Sequence, residues 1–314
     1  MEVAYRARAG LLLNRARREL GREGDSLLPP IDFVKWAIAR RCELRPASWR
    51  AYKAAIRFWL NERVPADAAA LEALEQAGGM ECLKKSNRTS SRKARRILGP
   101  DLRRIREFLF NSRGKWARPT AIWLTIGIVT GLRPSEWRSA KLDIAAKLLI
   151  VRNAKNSNGR ANGERRTLDL SGFPETVWEL VRSHVRFVGE FQSEQQFRRV
   201  YRACAKTLYL ANAAIWPRRR TSRRKKNVTL YSARHQFSAN AKKGGATRAE
   251  VAALMGHGSD ATAVRHYGRR RSGTKAFIPR PNEAEVEQVR RKEVSRQERK
   301  VIKEKEKKSA LTRM

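Results

Sequence analysis

Acidic residues are scarce in this chain. Its 314 residues include 70 Lys and Arg but only 30 Asp and Glu, a formal charge of +40. Such an imbalance repels itself unless something anionic lies against it, and nucleic acid answers that need better than an anionic membrane surface. Long apolar runs are missing too. None approaches the ~20 residues that a membrane span needs, and Leu11-Leu12-Leu13 is shorter than the ~7–15 residues of a signal-peptide core. Glu2, Glu19 and Glu23 argue against an organellar leader in the Arg-rich start. The 3 cysteines, Cys42, Cys82 and Cys204, lie far apart with no metal-ligand spacing, which points to reduced thiols in a cytosolic, nucleoid-associated protein. There is no Gly-rich nucleotide loop, no carboxylate pair, no Cys/His cluster suited to a divalent metal and no internal repeat. No cofactor, small-molecule substrate or membrane partner is expected.

What is present is enough apolar residue, 41%, for a real core, and enough length for two or three domains. Residues 1–24 are basic with scattered Leu and read as a helical arm or loose end. Helices are expected over 31–42, 47–62 and 66–77, with Phe33, Trp36, Trp49, Tyr52, Ile56, Trp59 and Leu60 at three- and four-residue steps. That aromatic stripe reads as core rather than as a stacking platform. Residues 84–96, KKSNRTSSRKARR, have linker composition with a charge density suited to a phosphate backbone.

From Pro100 the pattern changes. An amphipathic helix over 102–111 precedes a nearly all-apolar, buried one over 119–130, which Gly131 ends; Pro134 opens the next helix and Arg133 lies in the joint. The β signal is confined to 148–151 and 166–170, a hairpin with a long polar tip that carries Lys155. Helices resume over 174–187 and 194–214, followed by the basic loop 217–226, PRRRTSRRKK. Three short helices are then expected between Thr229 and Gly268, with Thr247 and Glu250 as a capping box, Gly256 as a left-handed end, Ser259 or Asp260 as a cap and Tyr267 closing the third. A mixed-charge tail reads as a solvent-exposed helix from about Glu283. The fold class is therefore α+β, mainly α with a small β-hairpin.

Cleaving a phosphodiester without metal takes guanidiniums to cradle the phosphorane charge, a nucleophile such as a phenol, and a general acid. Taken singly, Arg133 would be a helix-joint ion pair, His257 a turn histidine and Tyr267 a core tyrosine, and spacing alone does not select them. A resemblance does. Thr130-Gly131-Leu132-Arg133-Pro134-Ser135-Glu136 resembles the first arginine box of the tyrosine recombinases, the phage-integrase family. Tyr231-Ser232-Ala233-Arg234-His235-Gln236-Phe237 is similar to their His-x-x-Arg-His-x-Phe box. Leu254-Met255-Gly256-His257-Gly258-Ser259 is similar to their Leu-Gly-His-Ser-Ser box, Tyr267 falls at the nucleophile's place, and Lys155 matches the hairpin lysine, with Lys141 and Lys147 as rivals.

The resemblance covers about residues 98–275 and, more weakly, the helical 31–77 region. It implies a helical core-binding domain at 25–83, a basic linker at 84–99, a catalytic recombinase domain at 100–280 and a charged tail at 281–314, the two domains closing on double-stranded DNA as a C-shaped clamp. It further implies a site-specific recombinase of a mobile element, such as an integrase, acting as a dimer to tetramer on DNA without metal or ATP. Tyr267 would form a 3′-phosphotyrosyl bond, Lys155 would protonate the leaving oxygen, Arg133 and Arg234 would hold the non-bridging oxygens, and His257 would donate a hydrogen bond. Glu136 would orient an arginine, with His235 and His266 as structural supports. Two positions depart from the pattern. Tyr231 stands where the family most often has His, and His257 and Tyr267 are ten positions apart, one more than usual, a shift worth ~100° around a helix. The rival reading is a DNA-binding protein on the same scaffold with impaired catalysis.

Overall fold

The computed structural model describes residues 2–22, 27–63, 67–79, 82, 93–154, 156, 161–217 and 227–291. The chain divides into two compact units, Met1–Arg88 and Thr89–Met314.

The first unit is helical. α1 (Glu2–Glu19) buries Ala9, Leu12 and Ala16, spaced three and four apart on one side, against α3 (Pro46–Arg63). The stretch whose sequence reads as a basic arm is thus built into the unit's core through Leu12 and Ala16. α2 (Pro30–Ala39) opens on Pro30, whose missing N–H would have no helical acceptor there anyway, and runs on into a 3₁₀ turn, Arg40–Glu43. α4 (Ala68–Gln76) is capped by Asp67, which accepts from the Ala70 N–H at 2.8 Å. Phe33, Trp36, Trp49, Ile56, Leu60 and Leu74 fill the centre, so the aromatic stripe is core. Trp49 is buried and satisfied: its Nε1–H donates to the Ala77 carbonyl at 3.3 Å.

The second unit packs helices around a small antiparallel sheet. α5 (Gly99–Phe110) and α6 (Ala117–Thr130) precede β1 (Lys141–Asp143), β2 (Leu148–Arg152) and β3 (Arg165–Asp169). Then follow α7 (Glu175–Gly189), α8 (Glu194–Ile215), α9 (Leu230–Lys243), α10 (Arg248–Leu254), α11 (Ala261–His266), β4 (Arg280–Pro281) and α12 (Glu283–Glu287). α6 is apolar on every side because it is buried among α5, α7, α8 and α9. Gly127 lets it approach α9, since a Cβ there would stand 2.9 Å from the Ala233 Cβ. Gly131 ends it at φ +69°, and an added Cβ would fall 2.2 Å from the Phe237 ring. That residue must be glycine both for its left-handed backbone and for lack of room.

The hairpin read from the sequence, β2 with β3, pairs Leu149 with Leu168 and Ile150 with Thr167. The structure adds an outer strand on each side, in the order β1-β2-β3-β4. Three and two residues are too short to show alternation, and Pro281 is tolerated because β4 is an edge. A helix does start at Glu283, and α12 has no buried residue; beyond Glu287 the described chain packs back on its own unit. Val289 is 2% exposed against Ala252 and Ala253, and the Glu285 carboxylate accepts from the Thr167 N–H at 2.7 Å. Two valines three apart, Val286 and Val289, give the segment an apolar side to bury. Most of the linker, the basic loop at 218–226 and the tail from 292 lie outside the described residues. Among the described residues no helix is long and apolar enough to cross a membrane.

Candidate active site

Four local devices aim the site. Arg133 follows Gly131 and caps the 3₁₀ turn Pro134–Ser139. Its N–H donates to Glu136 Oε2 at 2.7 Å and its Nη1 to Glu136 Oε1 at 2.5 Å, so the turn and the guanidinium are fixed by one carboxylate. Tyr231 and Arg234, three apart, leave the same side of α9, whose start is held by a reciprocal Thr229–Ser232 cap. His257 follows Gly256, at φ +60°, on the turn after α10, whose own capping box is Thr247 with Glu250. The sequence puts His257 on a turn rather than in a core; it is on the turn, but only 2% of it is exposed. Tyr267 comes one residue after α11 ends. The extra position between His257 and Tyr267 still leaves the phenol beside His257 and Arg234, with Tyr267 on the bend that follows α11.

These side chains converge. Tyr267 Oη lies 3.0 Å from Tyr231 Oη and 3.3 Å from Arg234 Nε, and the Arg234 guanidinium stands 5.3 Å from the Tyr267 ring centre. Arg234 Nη2 is 3.0 Å from His257 Nε2, and the His257 ring packs 5.0 Å from that of Tyr267. His235 flanks both tyrosines, 5.6 Å from Tyr231 and 5.0 Å from Tyr267. Burial, with Arg95, Arg234 and Lys242 nearby, pushes its pKa down to about 4, so it is neutral around pH 7. Lys155 and the side chain of His266 lie outside the described residues. Of the rival lysines, Lys147 is on Glu175 at 2.9 Å and Lys141 is exposed on β1.

Glu136 is the hub. It is fully buried and takes Arg133 at 2.5 Å and Arg166 at 2.8 Å, with Arg234 at 3.6 Å. Burial alone would favour its neutral form, but the three guanidiniums outweigh that and hold its pKa well below the usual carboxylate range. Burial and the cations Arg234, Arg133 and Arg166 likewise keep His257 neutral. A guanidinium can only donate, so His257 Nε2 is the acceptor and the ring carries its proton on Nδ1. That Nδ1–H is buried with no partner.

The two arginines are not equivalent. Arg234 gives Nη1 to the Gly131 carbonyl at 2.6 Å, Nη2 to the Met255 carbonyl at 2.5 Å and to His257, and Nε to Tyr267. Glu136 stands 3.6 Å from Nη1, an ion pair without a hydrogen bond, so all but one of its N–H groups are held by the protein. Arg133 keeps a buried Nε that has no partner among the described residues. It lines a cavity of about 980 Å³ together with Tyr231, Arg138, Arg152 and Arg198.

The tyrosine pair is polarised. Burial opposes ionisation of Tyr267, but Arg234, the Tyr231 hydrogen bond and Arg133 outweigh it and lower its pKa. Burial and the adjacent Tyr267 push Tyr231 up to about 12. Tyr267 therefore ionises first, and Tyr231 stays protonated and donates to it. The arrangement thus presents a phenol made more acidic, hydrogen-bonded to a tyrosine that lines an arginine-rich cavity.

No family model and no curated protein matches the chain. Among solved structures, it resembles the Tn1549 transposon integrase in complex with transposon right-end DNA, with a TM-score of 0.51 at 14% identity over 84% of this chain and 90% of that one. The chain has the tyrosine-recombinase fold. XerA recombinase, at TM-score 0.38, 14% identity and 84% and 92% coverage, also aligns with it. So does XerH bound to palindromic difH substrate, at TM-score 0.44, 14% identity and 82% and 74% coverage.

Within this tyrosine-recombinase fold, sequence reasoning missed two polar residues, Asn153 and Arg166. Arg166 on β3 is fully buried, donating to Glu136, to the Leu254 carbonyl at 3.0 Å and to Asn153 Oδ1. The available signal was a cation in a strand at a position that alternates with Leu168, on the buried side.

Proposed function

We propose that the protein is a site-specific DNA recombinase of the tyrosine type, an integrase of a mobile element, that cuts and rejoins double-stranded DNA. Tyr267 Oη attacks the scissile phosphorus and loses its proton to solvent. The P–O5′ bond breaks, Lys155 protonates the departing O5′, and a 3′-phosphotyrosyl link remains. A 5′-hydroxyl from a second strand attacks that link and regenerates the phenol, so the bond is conserved without an external energy source.

The observation that carries this reading is the approach of Tyr267 to Arg234, 3.3 Å, and to Tyr231, 3.0 Å, within one chain. Nucleophile and guanidinium coming from the same subunit makes the attack act in cis. Arg133, with its free Nε–H, takes a non-bridging oxygen, and the His257 Nδ1–H supplies a further donor. Tyr231 replaces the usual histidine as a donor to the Tyr267 phenolate, not as a base, because its own pKa is about 12. Exchange between two duplexes requires more than one active subunit, so the working form is a dimer to tetramer on DNA. The likeness to an integrase seen on transposon-end DNA supports the mobile-element setting, and the charge of +40 supports extensive phosphate contact.

A nicked suicide substrate, from which the cleaved fragment diffuses away, tests the proposal. Wild-type protein becomes covalently attached to the DNA and Tyr267→Phe does not. Tight binding with no attachment by the wild type would leave a DNA-binding protein of impaired catalysis.

A further inference from the structure

We propose that Gln236 and Asn240 are positioning residues for the nucleophile: they latch the strap that follows Tyr267, residues 268–274, onto α9, the helix that also carries Tyr231 and Arg234. Apart from one 3₁₀ turn, Arg270–Ser272, the strap has no regular structure of its own. Its backbone finds partners in α9 side chains instead. Lys242 Nζ donates to the Gly268 carbonyl at 2.7 Å, and Gln236 Nε2 to the Ser272 carbonyl at 2.9 Å. Asn240 Oδ1 accepts from the Thr274 N–H at 3.0 Å and from Gln236 Nε2 at 2.8 Å. Gly268 and Gly273 allow the close fit, since a Cβ would stand 2.3 Å from the His235 carbonyl oxygen at the first and 2.3 Å from that of Ala239 at the second.

Packing alone does not call for these two amides. Both residues are 2% exposed, and burying an amide is unfavourable unless its hydrogen bonds are made. An apolar side chain would fill the space without that penalty, but it would hold no particular carbonyl or N–H. Here both Gln236 Nε2 hydrogens are used, and its Oε1 accepts from the Ile97 N–H at 2.8 Å. The amides therefore fix the register of the strap along α9. Tyr267 stands on the bend between α11 and the strap, so that register decides where its phenol falls relative to Arg234, 3.3 Å away, and Tyr231, 3.0 Å away. Released from α9, the phenol would leave the guanidinium that favours its ionised form.

The inference rests on the proposed mechanism, and tyrosinate absorbance separates the two. Asn240→Ala frees the Thr274 end of the strap and leaves Gln236 on Ile97. Gly268→Ala leaves the sequence of α9 unaltered and lifts the strap off the His235 carbonyl, so one variant remains should the other fail to fold. Neither replaces Tyr231, Arg234, His235, His257 or Arg133, which face the phenol, nor Lys242. The absorbance difference between each protein and its Tyr267→Phe counterpart follows ionisation of the phenol without DNA. In both variants that ionisation is expected to move up from its lowered wild-type position toward the ordinary tyrosine value of ~10. Attachment to the suicide substrate is expected to slow by about 100-fold, the effect of a misplaced group. If attachment slows while the ionisation stays where the wild type has it, the amides are merely structural and the inference fails. It fails too if attachment keeps the wild-type rate. If the ionisation moves but no protein attaches to DNA, the wild type included, the positioning of the phenol stands and the proposed function falls.

Discussion

Tyr231→Phe removes one oxygen atom from the site and leaves the ring's packing on His235 in place. The lost oxygen is the one 3.0 Å from Tyr267 Oη, the nucleophile of the proposed mechanism. A hydrogen bond to a charged acceptor contributes about 1.5–3 kcal/mol, and one pKa unit corresponds to about 1.36 kcal/mol. The phenolate of Tyr267 therefore loses the equivalent of about one to two units. The pair is only partly buried and water takes up some of the deficit, which puts the shift at about one unit. The sign follows from the wild type. Tyr267 has a lowered pKa, so the rate of covalent attachment falls as pH drops through that value. In the variant the phenol ionises later, and the acid limb moves to higher pH by about one unit. Below both limbs Tyr231→Phe is slower by about tenfold, and on the alkaline plateau the rates converge. The other groups facing Tyr267 are Arg234 and His235 from α9, His257 from the turn after α10, and Arg133. The arginines stay charged, His235 titrates near 4 and His257 lower still, so none interferes between pH 6 and 10. Lys242, which holds the Gly268 carbonyl at 2.7 Å and titrates near 8, acts on both proteins alike and cancels in the difference. Single-turnover attachment to suicide DNA across that range is the assay. Coincident limbs would show that the Tyr231 hydroxyl does not support the phenolate.

Glu136→Gln is expected to lower the stability of the second unit by about 3–5 kcal/mol, since it strips buried guanidiniums of their counter-charge. That is a fall of about 6–20 °C in the melting temperature by scanning calorimetry. The pKa of Glu136 is depressed in the folded state, so its contribution is complete above the unfolded value of about 4.3 and fades only below it; the gap to the variant should stay constant from pH 7 to 5. DNA affinity is expected to drop by about 1,000-fold between 50 and 200 mM salt if some six phosphates or more are neutralised. A flat titration would contradict the electrostatic basis of binding.

How much of this was legible in the sequence varied with the physics involved. Caps and breakers were: Thr229, Thr247, Gly131 and Gly256 act locally, and the structure uses each as a cap or helix end. Amphipathic periodicity gave α2 to α8 to within a few residues. β1 and β4 were not legible, because a strand of two or three residues has no period and is defined by the partner it pairs with. The docking of Val289 was hidden for a related reason: a charged segment with two spaced valines reads as solvated until a receiving surface, here Ala252 and Ala253, exists. In the site, the boxes carried Arg133, Arg234, His257 and Tyr267 by resemblance, but no local rule singles out Arg166 or Asn153. They are polar groups whose partners lie up to 88 positions away, and one cation among the 70 in the chain is not conspicuous until burial marks it.

Burial also separates the two arginines that the boxes make look alike. Among the described residues three buried guanidiniums face one carboxylate, Glu136, with His257 neutral. The Arg133 Nε–H has no partner among them, which under the proposed mechanism leaves it for a phosphate oxygen. Arg234 has two N–H groups that no carbonyl or imidazole holds: the Nε–H on Tyr267 and one on Nη1, 3.6 Å from Glu136. Under the proposed mechanism, an arriving phosphate that took the Nε–H would share that donor with the phenol and bring a non-bridging oxygen close to the phenol oxygen. Arg234 would then set the distance between nucleophile and phosphorus. Three of its other N–H groups, held by Gly131, Met255 and His257, keep the guanidinium in place.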